Sequence, residues 1–374
     1  MKSLFGSELC NTGRQIEFDI AKAVCILGMV FVHCFEELST PAAEESLAGY
    51  IMIIALDAIF GAATFMSSMG LGIAYGLKDG QDMSAKLMKR GVEIFVIAYV
   101  LGFIRYGLPG LIFLRDSMPA DYGVPLIVGI AMDSVINDIL QFAGLALFLF
   151  GLLKKLKLSD KGVFIVALVM SVIGSFVRFI YIDDYFLCNG IGLFVGTIYD
   201  LEYDAGGIFP LFNWFIFVVG GYLYGKALQR CKDINKYYKI TLPISFAIIA
   251  VYCLICIPNR FGMMNENIFH YYQMTTLDAI ICFIGMIFAT SVYHFISLVL
   301  GDKVKKVIQT ISTNINSVYC IHWVIIGFID CYFVSKGFGL STPLIFIVGC
   351  AIYIVANILA VIYKKFKNRK KAVA

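Results

Sequence analysis

Apolar runs of about twenty residues recur along this chain, and a run of that length crosses the hydrocarbon core of a bilayer as a helix. Ten spans are expected, at 16–35, 47–76, 90–107, 135–153, 162–182, 208–228, 239–257, 271–299, 307–334 and 342–363. Within lipid each segment must satisfy its own backbone N–H and C=O groups, so the expected fold is all-α, a polytopic transmembrane helix bundle. The spans use up most of the 374 residues and leave loops too short to fold alone. Residues 1–374 therefore read as a single integral-membrane domain.

Charge in the connecting loops sets the orientation. Glu36, Glu37, Glu44 and Glu45 follow the first span, whereas Lys78, Lys86, Lys89 and Arg90 follow the second. Basic residues return after the fourth span (Lys154, Lys155, Lys157, Lys161), the sixth (Lys226, Arg230, Lys232, Lys236, Lys239) and the eighth (Lys303, Lys305, Lys306), and again from Lys364 to Lys371. Cytoplasmic loops carry such an excess, so both termini are expected in the cytoplasm. This topology accounts for the net charge of +4 without nucleic acid, and the basic tail suits anionic lipid. No small-residue cleavage site follows the first apolar run, which reads as a retained span with the mature chain starting at Met1. The eleven cysteines lie mainly in apolar segments, and Cys253 and Cys256 have no second pair at zinc spacing. They are expected to be buried thiols, and no metal site is expected.

Two outer connections are longer than the rest, 108–134 and 183–207. The second holds the apolar piece Gly190 to Gly196, too short to span and expected as a re-entrant or interfacial segment. Small residues such as Gly220, Gly221 and Gly225 permit close helix contact, within one chain or in a homo-oligomer.

The first span is polar along one side. A helix turns about 100° per residue, so the eleven steps from Lys22 to His33 leave the two within about 20° of each other, separated by about 16 Å along the axis. Asp19 lies one turn before Lys22 on nearly the same face. Lipid makes such a face expensive, so it must look into protein or water. One reading makes Asp19 and Lys22 a structural pair and places His33 at the outer headgroup level. The other gives the imidazole work: it takes a proton from a hydroxyl or amine and returns it to a leaving group.

The spacing Arg14-x4-Asp19-x2-Lys22-x10-His33 resembles the opening signature of the membrane acyltransferases of acyltransferase family 3, and of the related heparan-α-glucosaminide N-acetyltransferases. Further stretches are similar to the second group in the same order: "LDAIFGAATFMSSMGLGIAYG" (56–76), "KRGVEIFVIAYVLG" (89–102), "DILQFAGLALFLF" (138–150), "FPLFNWFIFVVGGYLYGKAL" (209–228) and "NSVYCIHWVII" (316–326). The pieces touch about a quarter of the residues but are spread over nearly the whole chain. Two departures stand out. Lys22-Ala23 replaces the usual Arg-Gly, exchanging a planar bidentate anion contact for a point charge. Residues 34–50 hold no histidine to match that of the heparan-α-glucosaminide enzymes, so His33 resembles the histidine of acyltransferase family 3 instead. The resemblance implies an acyltransferase in which acetyl-CoA or another acyl-CoA in the cytoplasm donates to a sugar hydroxyl or amine of an extracytoplasmic glycan, or to a lipid-linked sugar. It implies an integral protein of the bacterial plasma membrane, with His33 as general base.

On the cytoplasmic side Arg14, Lys22 and Arg90 are the candidates to meet the donor's phosphates. Asp57, deep in the second span, is expected to face His33 or to line the same cavity; a carboxylate hydrogen-bonded to the histidine would fix its tautomer. Asp138 and Gln141 open the fourth span one turn apart and are candidates for the acceptor. Asp19, Asp278 and His322 are expected to line the cavity, and Tyr319-x2-His322 is similar to a late Tyr-x-x-His element of the superfamily. The principal rival is a secondary transporter of a small polar solute or lipid-linked sugar. That class favours Gly- or Pro-broken spans in two matched halves, and only Pro210 and Pro243, near span starts, offer themselves. A polyprenyl-phosphate glycosyltransferase would use outer-loop acids such as Glu36 and Glu37, usually with larger outer loops.

Overall fold

The computed structural model describes residues 4–50, 61–76, 82–115, 126–199, 206–265 and 267–373. Its principal helices in chain order are α1 (Ile16–Leu38), α2 (Ala62–Gly76), α3 (Ser84–Phe113), α4 (Leu126–Ser134), α5 (Ile139–Lys155) and α6 (Asp160–Phe176). They continue as α7 (Tyr185–Gly192), α8 (Leu211–Gln229), α9 (Ile234–Asn259), α10 (Thr276–Val299), α11 (Asp302–Lys336) and α12 (Thr342–Val373). The strands among the described residues are two parallel pairs of residues, Ile180–Tyr181 against Thr197–Ile198. They flank α7, which takes up the first part of the apolar piece 190–196.

Seven of the described helices, α1, α3 and α8 to α12, are long and apolar enough to cross a membrane. That is fewer than the ten spans expected. The other three expected spans correspond to α5 and α6, with 17 residues each, and to 47–76, of which α2 holds 15 residues and 51–60 lie outside the described residues. Seventeen residues rise about 26 Å, short of a hydrocarbon core of about 30 Å. On α3 the apolar Val92, Val96, Val100 and Phe103 are exposed at helical spacing, the stripe that a lipid-facing helix presents.

The chain divides into two compact units, and two of the five divisions fall within α3 and α10. The first comprises Met1–Gln15, Ala62–Tyr99 and Ile136–Ile296. In it α8 packs on α2 and α6. Gly70 and Gly221 lie against backbone of the facing helix, where any Cβ would collide, so small residues set this close approach. Gly225 faces Ala74 and Gly220 faces Phe283 in the same unit, so all three glycines flagged in the sequence serve contacts within the chain. At the start of α6, Asp160 pairs with Lys154 at 2.5 Å and with Lys226, and accepts from the Tyr222 hydroxyl.

The second unit comprises Ile16–Gly61, Val100–Val135 and Ser297–Ala374. Its core joins α1 and α11, with α12 packed on both. On α11 the buried residues Ser312, Ile315, Val318, Tyr319, His322, Trp323 and Ile326 recur every three or four positions, which keeps them on one face. Fully buried Ile26, Val30, Cys34 and Phe35 form the matching stripe of α1. Gly337 ends α11 in the left-handed conformation, φ 60°, that a C-terminal cap favours.

Candidate functional site

Two side-chain contacts between α1 and α11 fix how these helices run. Ser312 Oγ donates to Asp19 Oδ1 at 2.6 Å, and farther along both helices His33 Nδ1 lies 3.0 Å from His322 Nε2. Both sequence numbers rise from the first contact to the second, so the helices are parallel. The polar face expected on the first span is thus turned onto α11, with Asp19 buried and His33 and Lys22 partly buried.

The histidine pair has a defined proton order. His322 Nδ1 is 3.0 Å from the carbonyl of Val318, and a carbonyl can only accept, so Nδ1 carries the hydrogen. A neutral imidazole then has its lone pair on Nε2, and His33 must supply the hydrogen to that contact from its own Nδ1. Consequently His33 presents an unprotonated Nε2, the form a general base requires. The rings are nearly parallel, 6° apart, with centroids 5.3 Å apart. His322 is fully buried.

Trp323 backs this pair. Its indole lies 3.8 Å from the His33 ring, centroid to centroid, with 22° between planes. The Arg105 guanidinium also lies over the indole, 2.9 Å from a ring centroid. Arg105 donates to Glu37 Oε1 at 2.8 Å, the Tyr106 hydroxyl donates to the same oxygen at 2.8 Å, and Arg105 also bonds the Tyr106 oxygen. Arg105 and Tyr106 sit on a π turn, Phe103–Gly107, inside α3. Such a turn adds one residue to the helical repeat and rotates the side chains that follow, which is how functional sites often aim a residue. Gly327, one turn after Trp323 on α11, lies against the Arg105 backbone, and its missing Cβ makes room for the π turn.

Asp57 lies outside the described residues. Asp138 and Gln141 form a capping box at the start of α5, each bonding the other's backbone end of the first turn. Asp278 is buried, accepting from Tyr252 at 2.6 Å and from the Thr275 hydroxyl at 2.7 Å. Arg14 is exposed, and Arg90 is exposed and paired with Glu93 at 3.3 Å. Among the described residues, no group of three or more His, Cys, Asp or Glu is arranged to hold a metal ion. Arg105, Tyr106, Ser312 and Trp323 also belong to this site, and sequence motifs did not single them out. An arginine inside an apolar run was the available signal for the first.

Comparison with known families gives a match over most of the chain. The model of acyltransferase family 3, described as an acyltransferase domain, matches residues 15–362. No curated protein and no solved structure matches the chain.

Proposed function

The chain belongs to acyltransferase family 3, and from that premise we propose that it moves an acyl group, acetyl first among candidates, from acyl-CoA to a hydroxyl or amine of an extracytoplasmic glycan. It is an integral-membrane acyltransferase. The observation that carries the finer reading is the relay from the Val318 carbonyl through His322 to His33, which leaves His33 Nε2 ready to accept a proton.

The reaction follows from that lone pair. The acceptor's oxygen or nitrogen attacks the thioester carbonyl carbon as its proton passes to His33 Nε2. The imidazolium so formed is held in orientation by His322, which accepts from Nδ1. Collapse of the tetrahedral adduct breaks the C–S bond, the electron pair leaves on sulfur, and the proton returns from Nε2 to the thiolate. The products are the acylated acceptor and the free thiol of coenzyme A.

In this reading both termini are cytoplasmic, and Arg14, Lys22 and Arg90 meet the donor's phosphates, with Arg90 exchanging Glu93 for the ligand. Asp19, linked to Ser312, forms part of the polar path along α1. Asp57 is proposed as a further acidic neighbour of the imidazolium. Asp138, Gln141 and Asp278 are proposed to act by shaping the helix ends that border the acceptor.

The test is transfer across a sealed membrane. Labelled acetyl-CoA is enclosed in proteoliposomes holding the purified protein, and a cell-envelope glycan extract is supplied outside. Label appearing on the external glycan supports the reading; label remaining on acetyl-CoA, with inserted protein in both orientations and intact vesicles, contradicts it.

A further inference from the structure

We propose that the indole N–H of Trp323 is the hydrogen-bond donor to the carbonyl oxygen of the acyl group in transfer, an inference that rests on the acyl-transfer reading above. Trp323 is 3% exposed, and its Nε1 is buried without a hydrogen-bond partner among the described residues. An indole N–H donates and never accepts, and a buried donor left unsatisfied is costly, so such a group is normally given an acceptor. The chain's other tryptophan follows the rule: Trp214 Nε1 donates to the Tyr272 carbonyl at 2.7 Å.

The surroundings say what the missing acceptor is. His33 lies against the Trp323 ring, so a carbonyl bonded to Nε1 stands beside the imidazole that takes the acceptor's proton. The guanidinium over the ring attracts indole π density and makes the N–H more positive, suiting it to an oxygen that gains charge during reaction. Arg105 is itself held by Glu37, and Trp323 by its packing between α1 and the π turn, so the donor is in place beforehand. When the acceptor oxygen adds to the thioester carbon, the C=O π pair moves onto the carbonyl oxygen, where the Trp323 hydrogen bond strengthens. The acceptor proton goes to His33. As the C–S bond breaks, the π bond is restored and the proton passes to sulfur; Trp323 exchanges no proton.

The experiment compares native protein, His33→Ala and Trp323→Phe in liposomes, with acetyl-CoA and the glycan extract, following thiol release. Phenylalanine keeps an aromatic ring against His33 and removes the N–H. The expected result is a fall in kcat of about 10²-fold for Trp323→Phe with KM for acetyl-CoA little changed, as for loss of one oxyanion donor. Native kcat in Trp323→Phe, while native turnover still requires His33, overturns this inference and leaves the acyl-transfer reading standing; no turnover by native protein overturns both. If Trp323→Phe does not fold, Trp214→Phe decides, because it leaves Trp323 as the sole tryptophan of the two. Its emission is expected to shift on titration with a ketone analogue of acetyl-CoA but not with free coenzyme A, which lacks the carbonyl. An equal response to both ligands, or none to either, overturns the inference.

Discussion

His33 Nδ1 and His322 Nε2 lie 3.0 Å apart on two parallel helices, with the second histidine anchored to the carbonyl one turn before it. Because the second imidazole has no hydrogen to offer on Nε2, it sets the tautomer of the first. His322→Phe removes the acceptor and keeps an aromatic ring. The expected outcome is a kcat lowered by about 10²-fold, the lower end of what a positioned base contributes. His33→Ala is expected to lose about 10²- to 10⁴-fold. Initial rates of thiol release, normalised to inserted protein, measure both.

Gly327 admits the π turn that carries Arg105. Gly327→Ala forces the Arg105 backbone away from α11, and overpacking of this kind costs roughly 1–3 kcal/mol. Gly285 on α10 has nothing within 4 Å of the Cβ position, so Gly285→Ala is expected to be neutral or to gain stability from helix propensity. Thermal unfolding of the two variants in detergent separates the cases. The Gly327 variant is expected to lose both melting temperature and kcat.

Asp138 caps α5, and a capping role tolerates serine. Asp138→Ala is expected to cost about 1 kcal/mol of stability, and Asp138→Ser much less. Activity that survives in Asp138→Ser identifies the residue's part as positional. A loss of activity in both variants at equal stability would instead place the carboxylate on a substrate.

Asp160, at the start of α6, gives a pH signature. Burial acts to raise its pKa, but hydrogen bonds and charges from Lys154 and Lys226 outweigh it and hold the carboxyl at about 2. A pKa below the unfolded value means that the ion pairs add stability above about pH 4, and that this is lost as pH falls through about 2. Asp160→Asn is therefore expected to melt at a lower temperature than native protein at pH 7, with the gap closing toward pH 2. Melting curves at several pH values check the trend; a gap that is constant with pH would contradict it.

Much of the membrane architecture was legible because spanning segments write their length into the sequence as apolar runs. The runs at 135–153 and 162–182 differ in their ends from the helices they hold, since hydropathy does not show that α5 starts only at its Asp138 cap or that α6 ends at Phe176. His33 and His322 each stood out as ionisable groups within apolar helices. Their meeting did not, because 289 positions separate them and helical periodicity speaks only of neighbours along one helix. The contribution of Arg105 depends on the π turn, whose i→i+5 bonds leave no simple residue pattern. Gln141 three residues after Asp138 has the spacing of a capping box, which the structure shows at the start of α5.

The most direct measurement is acceptor-dependent release of coenzyme A thiol from acetyl-CoA by native protein and His33→Ala, reconstituted at equal density in liposomes. The account predicts release by the native chain that requires the glycan acceptor and falls by about 10²-fold or more in the variant. Equal rates for the two proteins would contradict the assignment of His33 as the base.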